Sequence, residues 1–307
     1  MTAEIRVRQV ATNGIHLSVA EAGPEDGPLV VLLHGFPEHW YGWRHQIDPL
    51  AQAGYRVIVP DQRGYGASDK PRGVGSYRLD LLVDDVVGLV AAVGRDQARI
   101  VGHDWGGIVA WAAIERHPDR FTRAVILNAP HPAVLQQALR KDFGQIRRSW
   151  YVFAFQIPGL PEFLLRRNGF RALERSLLAT SRPGAFDHAD LELAKTAWGR
   201  PGALRAMIHW YRAALRTALS PLPDPPITVP TLILWGVQDQ FLGPGLARTS
   251  YAQCQNAAIE WFADATHWLA HECPERVNPL ILGFLDEERV TTGPSAPSPV
   301  AGDPVGS

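Results

Sequence analysis

Short continuous runs of Val, Ile and Leu recur along this chain with helix-like stretches between them, and this alternation restricts the fold more than any other feature. The runs fall at Leu29–Leu33 (LVVLL) and at 56–59, 99–102, 124–127 and 231–235. A strand that is apolar at every position, not every second one, has both faces covered. The pattern therefore predicts an α/β architecture, a mostly parallel sheet flanked by helices. Helical periodicity falls near 79–93, 107–116 and 274–285. Residues 16–21 alternate and predict an antiparallel strand at the front edge of the sheet, and 258–262 adds a late strand.

The rhythm breaks after Ala129-Pro130. From about 131 to 220 no buried strand is predicted; Arg, Leu, Ala and aromatic residues dominate, and Pro221, Pro223, Pro225 and Pro226 punctuate the return to the sheet. Residues 130–226 are expected to form a helical cap inserted into a core made of 1–129 and 227–288. The tail, 289–307, is rich in Pro, Gly, Ser and Thr, which predicts disorder.

Bulk composition narrows the partners. A formal net charge of -1 supplies no overall field toward nucleic acid or anionic membranes. No stretch approaches ~18 consecutive apolar residues, so no membrane span is predicted. Residues 1–13 carry no apolar segment of signal-peptide length. Cys254 and Cys273 stand in no metal-ligand spacing, and two reduced thiols fit a cytoplasmic protein. No metal or organic cofactor is implied, and the oligomeric state is left open.

The segment Gly102-His103-Asp104-Trp105-Gly106-Gly107 carries the chemistry. Small residues two before and two after a central side chain, where a strand runs into a helix, mark a nucleophile elbow. The central residue is Asp104 in place of the Ser of serine hydrolases. A carboxylate suits attack on an sp3 carbon with a leaving group, which points to opening an epoxide or displacing a halide. A plain helix N-cap is the competing use of an Asp here.

An aspartyl ester must then be hydrolysed by water with a general base. In elbow hydrolases an acid and a His follow the nucleophile in that order. Asp239 follows the run at 231–235, and His267 follows the strand at 258–262. Their rivals are Asp264 and His271. The loop His34-Gly35-Phe36-Pro37 faces the elbow in this architecture, so the N–H groups of Phe36 and Trp105 are expected to form an oxyanion hole. His34 reads as structural, and 61–66 as a scaffold loop without a catalytic role.

HGFP, GHDWGG, the GxxD carboxylate at Asp239 and the late THW histidine together resemble the α/β-hydrolase-fold epoxide hydrolases, over roughly residues 5 to 287. The resemblance implies the α/β-hydrolase fold and two cap tyrosines that meet the epoxide oxygen. Tyr151 stands in the family's YxxxFQxP pattern, ending at Pro158, and Tyr211 in its WYR motif, with His209 where Asn is common. Haloalkane dehalogenases share the elbow, but they usually carry Asn at the position of Phe36. Fluoroacetate dehalogenases usually carry Arg at the position of Trp105. Both departures favour hydrolysis of a small apolar epoxide over dehalogenation, and an intact Asp-His-Asp set argues against a non-catalytic binding protein on the same fold.

Overall fold

The computed structural model describes residues 3–216, 222 and 226–286. Eight strands form one sheet: β1 (Arg6–Thr12), β2 (Ile15–Ala22), β3 (Leu29–Leu33), β4 (Arg56–Pro60), β5 (Ala98–His103), β6 (Phe121–Leu127), β7 (Thr231–Gly236) and β8 (Ala257–Phe262). Their spatial order is β1-β2-β4-β3-β5-β6-β7-β8. β1 and β2 are antiparallel to each other, as are β2 and β4; the remaining pairs are parallel.

β3 shows why the central strands are apolar throughout. Side chains alternate across a strand, so Val31 and Leu33 enter one core while Val30 and Leu32 enter the other. The first core packs against α2 (Leu79–Ala92) and α3 (Trp105–Arg116). The second packs against α1 (Arg44–Gln52) and the late helices α11 (Leu269–Glu272) and α12 (Pro274–Asp286).

One strand differs from expectation. β2 is antiparallel as read at 16–21, but it is not the edge, because β1 pairs along its outer side. β1 lacks a sequence signal for a physical reason: residues 6–9 are exposed and only Val10 and Thr12 are buried, which leaves no apolar run.

Between β6 and β7 lie α4 (Pro132–Lys141), α5 (Phe143–Arg148), α6 (Trp150–Ala154), α7 (Leu160–Thr180), α8 (His188–Gly199) and α9 (Ala203–Arg216), and α10 (Pro244–Tyr251) follows β7. Hydrogen bonds seat this insertion on the sheet: Trp198 Nε1 donates to the Pro37 carbonyl at 2.5 Å, and Trp210 Nε1 to the Arg63 carbonyl at 3.0 Å. Arg63 is itself fixed by a two-pronged bond to the buried Asp85, at 2.6 and 2.7 Å, so the loop at 61–66 is a platform for the insertion. Pro221, Pro223, Pro225 and the tail at 289–307 lie outside the described residues.

Candidate active site

Asp104 sits where β5 turns into α3, with φ 50° and ψ −119°. A left-handed φ on a non-Gly residue costs energy and marks a constrained turn. The flanking glycines are required by close approach. A Cβ on Gly106 would collide with the Leu33 carbonyl, and one on Gly102 would come within 2.5 Å of the Gly106 carbonyl oxygen. Asp104 holds the N-cap position of α3, yet its side chain makes no capping bond. The carboxylate is instead directed into the site.

There, Oδ1 of Asp104 accepts the Phe36 N–H at 2.8 Å. No hydrogen bond joins the Trp105 amide to the same carboxylate; Trp105 stands at the first residue of α3. Oδ2 of Asp104 lies 3.6 Å from Nε2 of His267. On the other side of the ring, His267 Nδ1 donates to Oδ2 of Asp239 at 2.7 Å. Asp239 is fully buried and its remaining acceptor capacity is met by the N–H groups of Phe241 (2.7 Å) and Leu242 (3.0 Å) and by Nδ2 of Asn128 (2.7 Å). Its orientation is thus fixed from four directions. The rival carboxylate, Asp264, is half exposed and bound to Arg182 and Arg276.

Charge follows from this geometry. Burial would push the Asp104 carboxyl up, but the His267 ring 3.6 Å away and its charge, with His103 and the Phe36 N–H, hold it below the usual carboxylate range. Burial likewise pulls the His267 imidazole down; the charge of Asp239 and the contacts to both carboxylates win and push it up to about 10. At rest the site is therefore an imidazolium between two carboxylates.

Tyr151 on α6 and Tyr211 on α9 face each other with ring centroids 5.9 Å apart. The WYR arginine explains how two distant motifs come together. Arg212 donates to the carbonyls of Phe155 (2.8 Å) and Ile157 (2.9 Å) and pairs with Glu162, while Gln156 Nε2 reaches the Tyr211 carbonyl at 3.3 Å. Both phenols are raised above their ordinary value, first by burial and then by the Asp104 charge, so they stay protonated and able to donate.

Two cavities of about 300 Å³ each meet at this point. One runs beside α3, α4 and α9, past Trp105, Ile108 and Leu135; the other lies on the His267 side, against Phe36, Leu173 and Phe241. Asp104, Tyr151 and Tyr211 are the three residues that line both. Among the described residues no group of three His, Cys, Asp or Glu is arranged to hold a metal ion.

Several supporting residues carried no sequence signal. Asn128, at the end of β6 with φ 38°, accepts the Gly236 N–H at 2.8 Å and thereby ties the Asp239 loop to the sheet. Asn is among the few residues that adopt this φ readily. Glu38 is buried, with Oε2 3.2 Å from His103 Nδ1 and Oε1 2.6 Å from His271 Nε2. His271, the rival base, therefore faces Glu38. His34 is buried and accepts the Gln62 N–H at Nε2, which makes it a structural residue.

Residues 28–274 match the family model of the alpha/beta hydrolase fold. The chain belongs to the α/β-hydrolase fold family. The AB hydrolase superfamily protein YfhM of Bacillus subtilis is 45% identical to this α/β-hydrolase over 92% of its length and 99% of the relative's. Epoxide hydrolase A of Mycobacterium tuberculosis is 36% identical, covering 91% of this chain and 96% of the relative. Among solved structures, the inhibitor complex of the Bacillus megaterium epoxide hydrolase superposes with a TM-score of 0.83 at 30% identity, over 91% of this α/β-hydrolase and all of the other chain.

Proposed function

We propose that this α/β-hydrolase is an epoxide hydrolase that adds water to an epoxide to give a vicinal diol through an alkyl ester on Asp104. We take residues 130–226 as its cap over a core of 1–129 and 227–288. The observation that carries this reading is a carboxylate at the elbow, lining with two neutral phenols the junction of two apolar chambers.

Tyr151 and Tyr211 bind the epoxide oxygen. Oδ2 of Asp104 attacks a ring carbon, the C–O bond breaks, and a phenol gives its proton to the oxygen as negative charge develops. Esterification removes the Asp104 charge, which is one support of the His267 imidazolium. The ring then releases its proton, which replaces the one the phenol gave, and becomes the base for water. Hydroxide adds to the carboxyl carbon of Asp104, with the Phe36 N–H already on Oδ1 and the Trp105 N–H as the second donor. Collapse of this intermediate frees the diol and restores the carboxylate.

The two chambers favour an epoxide with an apolar arm on each ring carbon. Halide release fits less well: the Phe36 side chain is a ring packed edge-on against Phe155 and Tyr211, and it offers an anion no side-chain donor. The test is incubation with 1-phenyl-1,2-epoxypropane, which carries an apolar arm on each ring carbon, and, separately, with a chloroalkane. Diol without chloride is expected; chloride without diol overturns the proposal in favour of dehalogenation, and neither product overturns it in favour of a binding protein.

A further inference from the structure

Seven of the thirteen large hydrophobic side chains exposed among the described residues fall within 143–164, across α5, α6, the turn that follows it and the first turns of α7. They include four aromatics: Phe143 is 80% exposed, Trp150 67%, Phe163 61% and Phe153 42%. Soluble surfaces rarely concentrate apolar groups in this way without an occupant.

The charge carried by the same segment points to the occupant. Residues 140–175 carry eight Lys or Arg and three acids, a surplus of five positive charges in a chain whose formal net charge is -1. Two of the acids are already neutralised: Glu162 pairs with Arg212, and Glu174 with Lys195. Arg140, Lys141, Arg147, Arg166, Arg167 and Arg171 are exposed and make no ion pair among the described residues. Whole-chain charge averages this surface away.

We propose that the exposed side chains of this segment dock on the surface of an anionic phospholipid bilayer. Aromatic and aliphatic side chains would enter the headgroup boundary while guanidinium groups meet the phosphates, as in interfacial helices that lie on a membrane without crossing it. No helix among the described residues is long and apolar enough to cross a membrane. A second copy of the chain is a poorer occupant, because a two-fold interface would press one cationic rim against another. Trp150 is exposed and also lines the His267-side chamber, so docking would set that chamber against the lipid in which apolar epoxides dissolve. This entry role rests on the proposed reaction; lipid binding does not.

The experiment is co-sedimentation of the full chain with vesicles of pure phosphatidylcholine or of phosphatidylcholine mixed with phosphatidylglycerol. We expect at least tenfold more protein on the anionic vesicles, falling as salt is raised. Phe143→Ser with Phe163→Ser, and separately Arg166→Gln with Arg167→Gln, should each lower binding about tenfold, with thermal melts and turnover of a small soluble epoxide unchanged. Equal binding to both vesicle types, or binding that neither variant lowers, overturns the proposal. A dimer in ultracentrifugation that the Phe143/Phe163 variant dissociates, without vesicle binding, overturns it in favour of a second copy. Because sedimentation is read without turnover, its failure is distinguishable from failure to form diol.

Discussion

Arg44 donates from Nη1 to Nδ1 of His271 across 2.8 Å. A guanidinium has no acceptor, so Nδ1 of His271 must present its lone pair and Nε2 must carry the proton. That proton goes to Oε1 of Glu38 at 2.6 Å. The other Glu38 oxygen faces His103 Nδ1, while His103 Nε2 points at the His267 carbonyl, which can only accept. Both nitrogens of His103 thus face acceptors, and its ring lies 4.7 Å from that of His267 by centroids. Arg44 also pairs with Asp190 on α8 at 2.6 Å, so the network reaches from the inserted helices to the backbone of His267.

Glu38→Gln breaks this network at its centre while keeping its shape. Replacing a carboxylate in two buried hydrogen bonds should cost about 1–3 kcal/mol of stability. Turnover should fall with little change in KM, because the His267 backbone loses its support and the chambers do not change. Urea unfolding and steady-state kinetics on the same preparation check both. Unaltered stability would show that the network contributes nothing to holding the loop.

How far the chain was legible depends on how local each signal is. The buried strands announce themselves, since a run such as LVVLL has no other stable use in a soluble protein, and β3 is buried at all five positions. The elbow is legible because Gly102 and Gly106 are required within four residues of backbone. Asp104, Asp239, His267, Tyr151, Tyr211 and Phe36 converge through motif context and chain order. Asn128, Glu38, His103, His271 and Arg44 form contacts with partners tens to hundreds of residues away. Nothing beside Asn128, Glu38 or Arg44 in sequence distinguishes such a contact from an ordinary polar residue, and neither the GHDWGG motif around His103 nor the late position of His271 names Glu38 as the partner. β1 is illegible for the opposite reason, its exposed residues leaving no pattern to read.

Stability should fall as the solution becomes alkaline. In the folded protein His267 keeps its proton to about 10, against an ordinary value of 6.5. Between those values the native state binds a proton that the unfolded chain has lost, so its advantage is complete below pH 6.5 and gone above about 10. Asp104→Asn removes the charge facing Nε2 and should bring the imidazole down. Thermal melts from pH 6 to 10 should show a loss of several degrees in the parent and a smaller one in the variant. Parallel curves would mean that Asp104 does not hold the proton on His267.

The phenols should act jointly. Each lines both chambers beside Asp104, and each is kept neutral by burial. Tyr151→Phe or Tyr211→Phe leaves one donor for the developing alkoxide, and each should lower kcat/KM by about a hundredfold, within the range for a positioned proton donor. The double variant should lose diol formation altogether while keeping its fold, since both rings remain packed. A double variant that retained more than about a tenth of the parent activity would remove the tyrosines from the mechanism.

His267→Gln separates the two halves of the reaction. In the proposed reaction alkylation needs only the Asp104 carboxylate and the phenols, whereas release of the diol needs a base for water, and among the described residues His267 is the one imidazole paired with Oδ2 of Asp104. Gln keeps an amide that can still reach Asp239, so the loop that ends in Trp268 retains its anchor. The substitution should lower steady-state turnover by at least about 10² to 10⁴, and the trapped ester should appear as the mass of one substrate on the peptide containing Asp104. Wild-type protein after one turnover in heavy-oxygen water should in turn carry the label in that same carboxylate, because hydroxide adds to its carbon. An unmodified Asp104 peptide from the variant, together with an unlabelled carboxylate in the parent, would leave direct attack of water on the epoxide as the chemistry of this site.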